Sequence, residues 1–180
     1  SSLSSYALIA MGRNRKALVA AYQYLIMGTI GAGFYVIGVG FLYMMTGTLN
    51  LTLIGDRIGE VQSMRPILAG MAFILVGISL KLALFPLHAW LPNAYAFAPS
   101  VATVFLAATA TKVAVYLFAR YLYGVFGADR LWPDMGLTAV LLALSLAGIF
   151  GAGIVAVFQS NLKRMFAYSS IEHMGIITFA

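Results

Sequence analysis

Residues 75–90, LVGISLKLALFPLHAW, place Lys81 within an otherwise apolar stretch of the chain. Hydrophobic residues make up 62% of the 180 residues and charged residues only 9%, whereas about a quarter of the residues of a soluble domain are charged. Several apolar runs approach or exceed the roughly 20 residues that cross a bilayer. We therefore predict an all-α fold, a polytopic bundle of transmembrane helices, with a lysine at mid-membrane depth.

The apolar runs divide the chain into spans of one transmembrane domain, residues 1–180. We predict spans at about 17–46, 66–90, 98–123 and 134–158, with partial spans at both ends, one ending near Met11 and one beginning near Phe166. Residues 47–65 alternate between apolar and polar types and predict a short interfacial helix. Glycines in the second and fifth spans predict close helix packing, because small residues let helix backbones approach in lipid. We expect the sequence to be a part of a longer polytopic chain.

The connections between spans differ in charge. One side of the predicted membrane receives five basic residues and no acid: Arg13, Arg15, Lys16, Lys163 and Arg164. The other side receives four basic and four acidic residues: Arg57, Arg65, Arg120, Arg130, Asp56, Glu60, Asp129 and Asp134. Basic loops are retained on the cytoplasmic side, so we predict loops 12–16 and 159–165 to be cytoplasmic.

Aromatic residues lie near the ends of the predicted spans: Trp90, Tyr121, Tyr123 and Trp132. Such residues form interfacial belts in membrane proteins. They also pack against lipid or against other helices, and the sequence leaves both interpretations open.

Residue composition excludes several classes of site. The chain has no cysteine, so it offers no disulfide, iron–sulfur cluster or thiolate zinc site. Its two histidines and five acidic residues are not clustered as a metal site requires, and we predict neither a metal nor a cofactor. Basic residues are scattered between spans rather than gathered in one stripe, so we predict no nucleic-acid partner.

Lys81 and Pro86 define the first candidate functional site. A lysine at mid-membrane costs roughly 3 kcal/mol and usually faces a protein interior or a hydrated cavity. Pro86 lacks an N–H group and predicts a helix break just past the lysine. His88 would share a face with Lys81 if the helix resumed in register, and histidine takes up and releases protons near neutral pH. The alternative is that His88 donates to a carbonyl that the break leaves free.

The next span repeats this pattern. Lys112 lies near the middle of SVATVFLAATATKVAVYLF, and Thr103, Thr109 and Thr111 could line a polar path beside it. Burial disfavours the charged form of an amine, so two buried lysines joined by water could pass a proton. The alternative is a pair of structural amines that cap broken helices or pair with acids elsewhere.

A third candidate lies near the end of the sequence, in QSNLKRMFAYSSIEHMG. Glu172 and His173 point about 100° apart on a helix and therefore do not form one hydrogen-bonded pair. Either could serve at the entrance of a proton relay. Alternatively, Glu172 favours the positive end of its helix dipole.

Two long motifs resemble a known family. KLALFPLHAWLPNAYAFAPSVATVFLAATATKVAVYLFAR and LKRMFAYSSIEHMG are similar to segments of the antiporter-like membrane subunits of complex I (NADH-quinone oxidoreductase), Mrp-type cation/proton antiporters and membrane-bound hydrogenases. The resemblance covers nearly the whole sequence. LPNAY and AATATKVAVY lean towards the Mrp antiporter type and IEHMG towards hydrogenase-linked subunits, which leaves the subfamily open.

The resemblance implies an inverted-repeat fold with broken helices, in which Lys81 and Lys112 fall on proton-transfer lysines. It places the glutamate partner of the first lysine upstream of Ser1. It also implies a proton-translocating subunit in the cell inner membrane, with other membrane subunits as partners and sodium as a further candidate ion; within complex I such a subunit would be a non-redox part of a translocase. The alternatives are a self-sufficient secondary antiporter and a structural scaffold with inert lysines.

Overall fold

The computed structural model describes residues 2–12, 14–61, 63–127 and 137–179, and every regular element within them is helical. The described helices are α1 (Ser2–Ala10), α2 (Arg15–Thr46), α3 (Leu51–Ile58), α4 (Met64–Leu82), α5 (Trp90–Phe97), α6 (Ser100–Phe126), α7 (Leu137–Val157) and α8 (Leu162–Phe179). The all-α fold predicted from composition is thus confirmed.

Four helices are long and apolar enough to cross a membrane. These are α2, α4, α6 and, within α7, the stretch Thr138–Val157. The predicted span at 66–90 is interrupted, because α4 ends at Leu82 and the short helix α5 begins only at Trp90. The amphipathic stretch predicted in 47–65 contains α3, whose first turn is capped by the Asn50 side chain accepting from the Thr52 N–H at 3.1 Å.

Glycines bring α2 and α4 into close contact. A Cβ atom at Gly38 would lie 2.6 Å from the carbonyl oxygen of Gly70, and one at Gly77 would lie 2.7 Å from that of Gly31. Only glycine permits such backbone approach without displacement of a helix. The packing role predicted for the α2 glycines therefore holds for Gly31 and Gly38. A Cβ at Gly33 would meet no atom within 4 Å.

The remaining helices form two apolar clusters around this pair. The first joins α3, α4 and the end of α6, and includes Ile54, Met71 and Phe118. The second joins α1, α2, α5 and α8, and includes Ile9 and Ile171. α7 packs along α8, so the two clusters hold all the long helices in one bundle.

Five residues used in the prediction of topology and aromatic belts lie outside the described residues: Arg13, Asp129, Arg130, Trp132 and Asp134. Two of the aromatic residues within the described part are buried. Trp90 is 6% exposed and Tyr121 is 2% exposed, so for these two the packing interpretation is correct and the belt interpretation is wrong. Tyr123 is exposed.

Candidate functional site

Lys81 lies in the last turn of α4, where the helix ends in a left-handed residue. Ala83 has φ 57° and ψ 38°, and its N–H donates to the Ser79 carbonyl. The Leu84 N–H donates to the same carbonyl at 3.1 Å. A bond from a left-handed residue back to the carbonyl four residues earlier closes many helix C-termini. Pro86 follows within the turns at 85–89, so the predicted break just past the lysine is present.

Trp90 satisfies a carbonyl that the break leaves free. Its Nε1–H donates to the Leu80 oxygen at 2.9 Å. The indole also packs edge-on against Tyr24, with ring centroids 5.2 Å apart. Buried carbonyls in a membrane need such partners, because the bilayer core contains no water to donate hydrogen bonds to them. No local pattern in the sequence indicates this contact, since Trp90 is ten residues away from Leu80 and lies in the next helix.

A cavity of about 500 Å³ lies beside the break, and Lys81 lines it. Its walls come from α1, α2, α4, α5 and α6. The polar side chains on these walls are those of Ser4, Ser5, Tyr24, Tyr35, Lys81, Trp90 and Thr109. Hydroxyl groups both donate and accept hydrogen bonds, and a cavity of this size exceeds the volume of a single water many times over. The rest of the wall is apolar, so water in contact with the amine would bind beside these polar side chains.

Lys112 follows a π-helical turn in α6 and does not line this cavity. The turn spans Leu106–Ala110, and the Lys112 Nζ donates to the Ala107 carbonyl at 2.8 Å. Its neighbours Ala110 and Val113 do line the cavity. Within the described residues the fold thus brings Lys81 to the cavity and leaves Lys112 on an adjacent face of α6.

Neither lysine is buried in this chain. The side chains of Lys81 and Lys112 are both exposed, so the expected burial of the two amines is absent. Lys81 faces a cavity with an open side, and Lys112 projects from a face of α6 that no described helix covers.

The three predicted lining threonines differ in position. Thr109 lines the cavity, and its hydroxyl donates to the Phe105 carbonyl at 2.7 Å. Thr111 donates to the Ala107 carbonyl at 3.3 Å, and Thr103 donates to the Tyr95 and Pro99 carbonyls. Of the three, Thr109 alone therefore occupies the position that a polar lining requires.

His88 lies in the connection between α4 and α5, because the helix does not resume in register after Lys81. Its ring stacks on Phe85 with centroids 5.2 Å apart and meets the edge of Tyr168 at 6.4 Å. Its Nδ1 is buried and has no hydrogen-bond partner among the described residues. Of the carbonyls that the break leaves free, that of Leu80 is capped by Trp90.

Glu172 and His173 lie in the middle of α8, away from the cavity. The Glu172 carboxylate approaches Gly153 of α7, with its Oε1 3.6 Å from where a Cβ would stand. The His173 Nδ1 lies 2.6 Å from the Ser169 carbonyl on its own helix. Because helix-dipole effects fall off within the first turn, the position of Glu172 ten residues into α8 does not support the dipole interpretation.

A partly buried tyrosine pair borders the cavity and was not predicted. The Tyr35 and Tyr121 hydroxyls lie 2.7 Å apart and the rings meet edge-on. Tyr35 lines the cavity, whereas Tyr121 belongs to the apolar cluster beyond it. The two residues are 86 positions apart, so no local pattern could reveal the contact.

The end of the bundle near Lys16 carries a basic network. Arg164 donates to the Asn93 Oδ1 at 3.0 Å, and the Asn93 amide donates to Gln23 at 3.3 Å. Lys163 donates to the Ala98 carbonyl at 2.9 Å. These contacts tie α5 to α2 and α8. No group of three histidine or acidic side chains that could hold a metal ion occurs among the residues that the structure describes.

Comparison with known proteins gives consistent matches. Residues 1–180 match the transmembrane family described as "NADH:quinone oxidoreductase/Mrp antiporter". NADH-quinone oxidoreductase subunit N of Desulforudis audaxviator is 43% identical over 177 residues, which cover 98% of this chain and 35% of that protein.

Two solved structures share the fold. A chain of the membrane-bound sulfane sulfur reductase, an archaeal respiratory membrane complex, superposes with a TM-score of 0.88 at 35% identity, covering 99% of this chain and 36% of that chain. A chain of respiratory complex I from Thermus thermophilus superposes with a TM-score of 0.75 at 29% identity, covering 97% of this chain and 36% of that chain. The sequence therefore spans about a third of the length of each of these proteins.

Proposed function

This chain belongs to the family of membrane subunits of NADH:quinone oxidoreductases and Mrp antiporters, and from that premise we propose that it moves protons across a membrane as part of a multisubunit complex. The observation that carries the proposal is the position of Lys81, at a helix break and on the wall of a mostly apolar cavity of about 500 Å³ that also carries hydroxyl side chains. Charged side chains at membrane depth are costly and mark ion and proton paths.

The proposed mechanism is a change of charge between Lys81 and Lys112. An ammonium group on one lysine loses a proton to water in the cavity, and a neutral amine on the other lysine gains one. No bond other than N–H and O–H bonds is made or broken. Thr109 and the hydroxyls of Tyr24 and Tyr35 would orient the water, because each can donate and accept.

The other predicted residues take supporting roles in this proposal. Pro86 keeps the connection after α4 from forming helix, so that α4 ends beside the cavity. His88 offers a buried ring nitrogen without a described partner, which suits a group that takes up a proton. Glu172 and His173 lie on α8 and would act at the entrance of the path rather than at the cavity.

Location and partners follow from the family and from charge. We place the protein in the cell inner membrane with loops 12–16 and 159–165 in the cytoplasm, because the basic residues Lys16, Lys163 and Arg164 lie at that end of the bundle. Other membrane subunits of the complex would be its partners. The exposed amine of Lys112 would then be covered by the remaining protein, since an ammonium group is costly in lipid.

A second candidate is exchange of protons for a cation such as sodium, because the family includes Mrp antiporters. Proton movement that depends on sodium, in vesicles that contain this protein alone, would favour a self-sufficient antiporter. Movement that requires the other subunits and the driving reaction would favour the multisubunit translocase.

The test compares lysine variants of the full-length chain in its complex, reconstituted in vesicles. We expect Lys81→Met and Lys112→Met each to lower proton uptake per turnover by about tenfold or more, as loss of a proton-transfer group does, while the complex still assembles. Lys16→Met is the matched control, because Lys16 lies over the Phe97 ring and does not line the cavity. Unchanged uptake in both test variants would favour a scaffold with inert lysines and overturn the proposal.

A further inference from the structure

Lys112 occupies a position on α6 between residues that reach the Lys81 cavity. Ala110 and Val113 line this cavity, as do Ala114 and Leu117 on the same face. Lys112 precedes Val113 by one residue and is turned away, with its Nζ held 2.8 Å from the Ala107 carbonyl. A displacement of α6 by one residue would therefore decide whether this amine faces the cavity.

The π-helical turn Leu106–Ala110 supplies such a displacement. A π-turn inserts one extra residue into an α-helix. Because consecutive residues are about 100° apart around a helix, every residue after the turn is set back by one position. Lys112 lies two residues after the turn, so it now stands where residue 111 of a regular helix would stand.

We propose that the extra residue of α6 moves past Lys112, which then takes the cavity-lining position now held by Val113. This inference rests on the proposed proton transfer and adds the step that brings the second amine to the first. Protonated Lys112 carries its proton into the cavity during the change of register. There its N–H bond breaks, water passes the proton on, and an N–H bond forms on the neutral amine of Lys81.

The local sequence is suited to a change of register. The Thr109 and Thr111 hydroxyls donate to the Phe105 and Ala107 carbonyls, and such side-chain bonds compete with the backbone bonds of a regular helix. The turn itself contains three alanines, and two of them, Ala107 and Ala110, pack against the second apolar cluster only through a methyl group. A second π-turn, Arg120–Phe126, lies further along the same helix, so α6 already accommodates an extra residue on the far side of Lys112.

The test uses disulfide formation between cysteine pairs in the full-length chain within its complex. The 180 residues contain no cysteine, so no background thiol arises from this part of the chain. Lys81→Cys is combined in turn with Val113→Cys, Lys112→Cys and Val115→Cys. Val113 lines the cavity and is the positive control. Val115 packs against the apolar cluster of α4 and is the negative control.

The expected order of rates follows from the population of the second register. A minor state populated at about 1–10% slows the reaction by the same factor, so the 81–112 disulfide should form about ten to a hundred times more slowly than the 81–113 disulfide. The 81–115 disulfide should not form. If the 81–112 pair is as inert as the 81–115 pair, the change of register does not occur and the inference is overturned.

A pair of single-residue deletions gives a second test. Deletion of Val113 removes a residue after Lys112, so that a regular helix without the π-turn sets Lys112 at the position now held by Val113. The matched control is deletion of Ala108, which also removes the π-turn but leaves Lys112 at its present position. The 81–112 disulfide should form as fast as the original 81–113 pair in the first variant and stay slow in the control. Equal rates in these two variants would contradict the inference.

The two proposals can fail separately. Proton uptake by the lysine variants decides the transport function, whereas disulfide rates report only the position of residue 112. Loss of uptake without any 81–112 disulfide would keep the transport proposal and remove the change of register. If the variant lacking Val113 does not assemble, the three cysteine pairs in the unaltered helix still decide the question.

Discussion

The two helices that carry the candidate lysines, α4 and α6, both depart from regular geometry beside the lysine, but in different ways. α4 stops at Leu82, and the chain turns before α5 begins at Trp90. α6 continues for 27 residues from Ser100 to Phe126 and absorbs its irregularity in two π-turns. One lysine therefore sits at a helix end and the other within a continuous helix.

The hydrogen bonds at the two irregular sites explain what this difference means. At the end of α4, the Ser79 carbonyl accepts from two backbone N–H groups and the Leu80 carbonyl accepts from Trp90. These partners belong to the backbone and to another helix, so the position of Lys81 is fixed. At the π-turn, the side-chain partners of the Ala107 carbonyl are Thr111 and Lys112 itself. The second lysine thus helps to hold the turn that keeps it out of the cavity.

The largest effect is expected where α4 is clamped against α2. In Gly38→Leu, the Cβ would fall 2.6 Å from both the Gly70 carbonyl oxygen and the Ile74 Cγ1, so the helices must separate. Overpacking costs about 1–3 kcal/mol and sometimes more, and contact with backbone leaves little room for relaxation. We expect the amount of assembled complex to fall sharply, as measured by its yield after purification.

Gly33→Leu is the matched control for this change, because it adds the same side chain to the same helix where no atom lies within 4 Å. Similar loss in both variants would mean that α4 is not clamped at Gly38. Close packing against α2 would then not hold α4, and with it Lys81, in a fixed position.

A smaller effect is expected from Trp90→Phe. This change keeps an aromatic ring beside Tyr24 and removes the donor to the Leu80 carbonyl. A buried acceptor left without a partner costs about 1–3 kcal/mol. We expect a lower thermal unfolding temperature of the complex.

Tyr22→Phe serves as the control for Trp90→Phe, because Tyr22 is exposed on α2. If Trp90→Phe unfolds at the temperature of the unaltered protein, the end of α4 does not depend on the indole. The break beside Lys81 would then be as loosely held as the π-turn beside Lys112.

The sequence predicted one irregular site better than the other, and the reason is physical. Pro86 has an inherent effect on the backbone, so the break after Lys81 could be located from residue type alone. The π-turn before Lys112 has no such marker, because alanine and threonine are compatible with an ordinary helix. Trp90 and Tyr35 were missed as site residues because their partners, Leu80 and Tyr121, are distant in sequence.

The burial of the lysines could not be judged from the sequence either. A mid-span amine predicts cover from other helices, but the helices described here leave both lysines exposed. The position of His88 relative to Lys81 could not be judged from the sequence either. Its predicted alignment with Lys81 required a continuous helix, and the turns at 85–89 remove that condition.

The smallest effect is expected from Thr111→Val, which acts only on the π-turn. The Thr111 hydroxyl donates to the Ala107 carbonyl at 3.3 Å, and valine keeps the branched shape without the donor. Loss of one such bond changes the balance between two states by about 1 kcal/mol, which is roughly fivefold in population. Since the bond exists in the register that excludes Lys112 from the cavity, its loss should raise the rate of the 81–112 disulfide by that factor.

Thr103→Val is the control, because Thr103 also donates to carbonyls of its own chain but lies in the regular first turn of α6. A faster disulfide in Thr111→Val alone would locate the movable element at the π-turn, and an equal change in both variants would assign it to α6 as a whole.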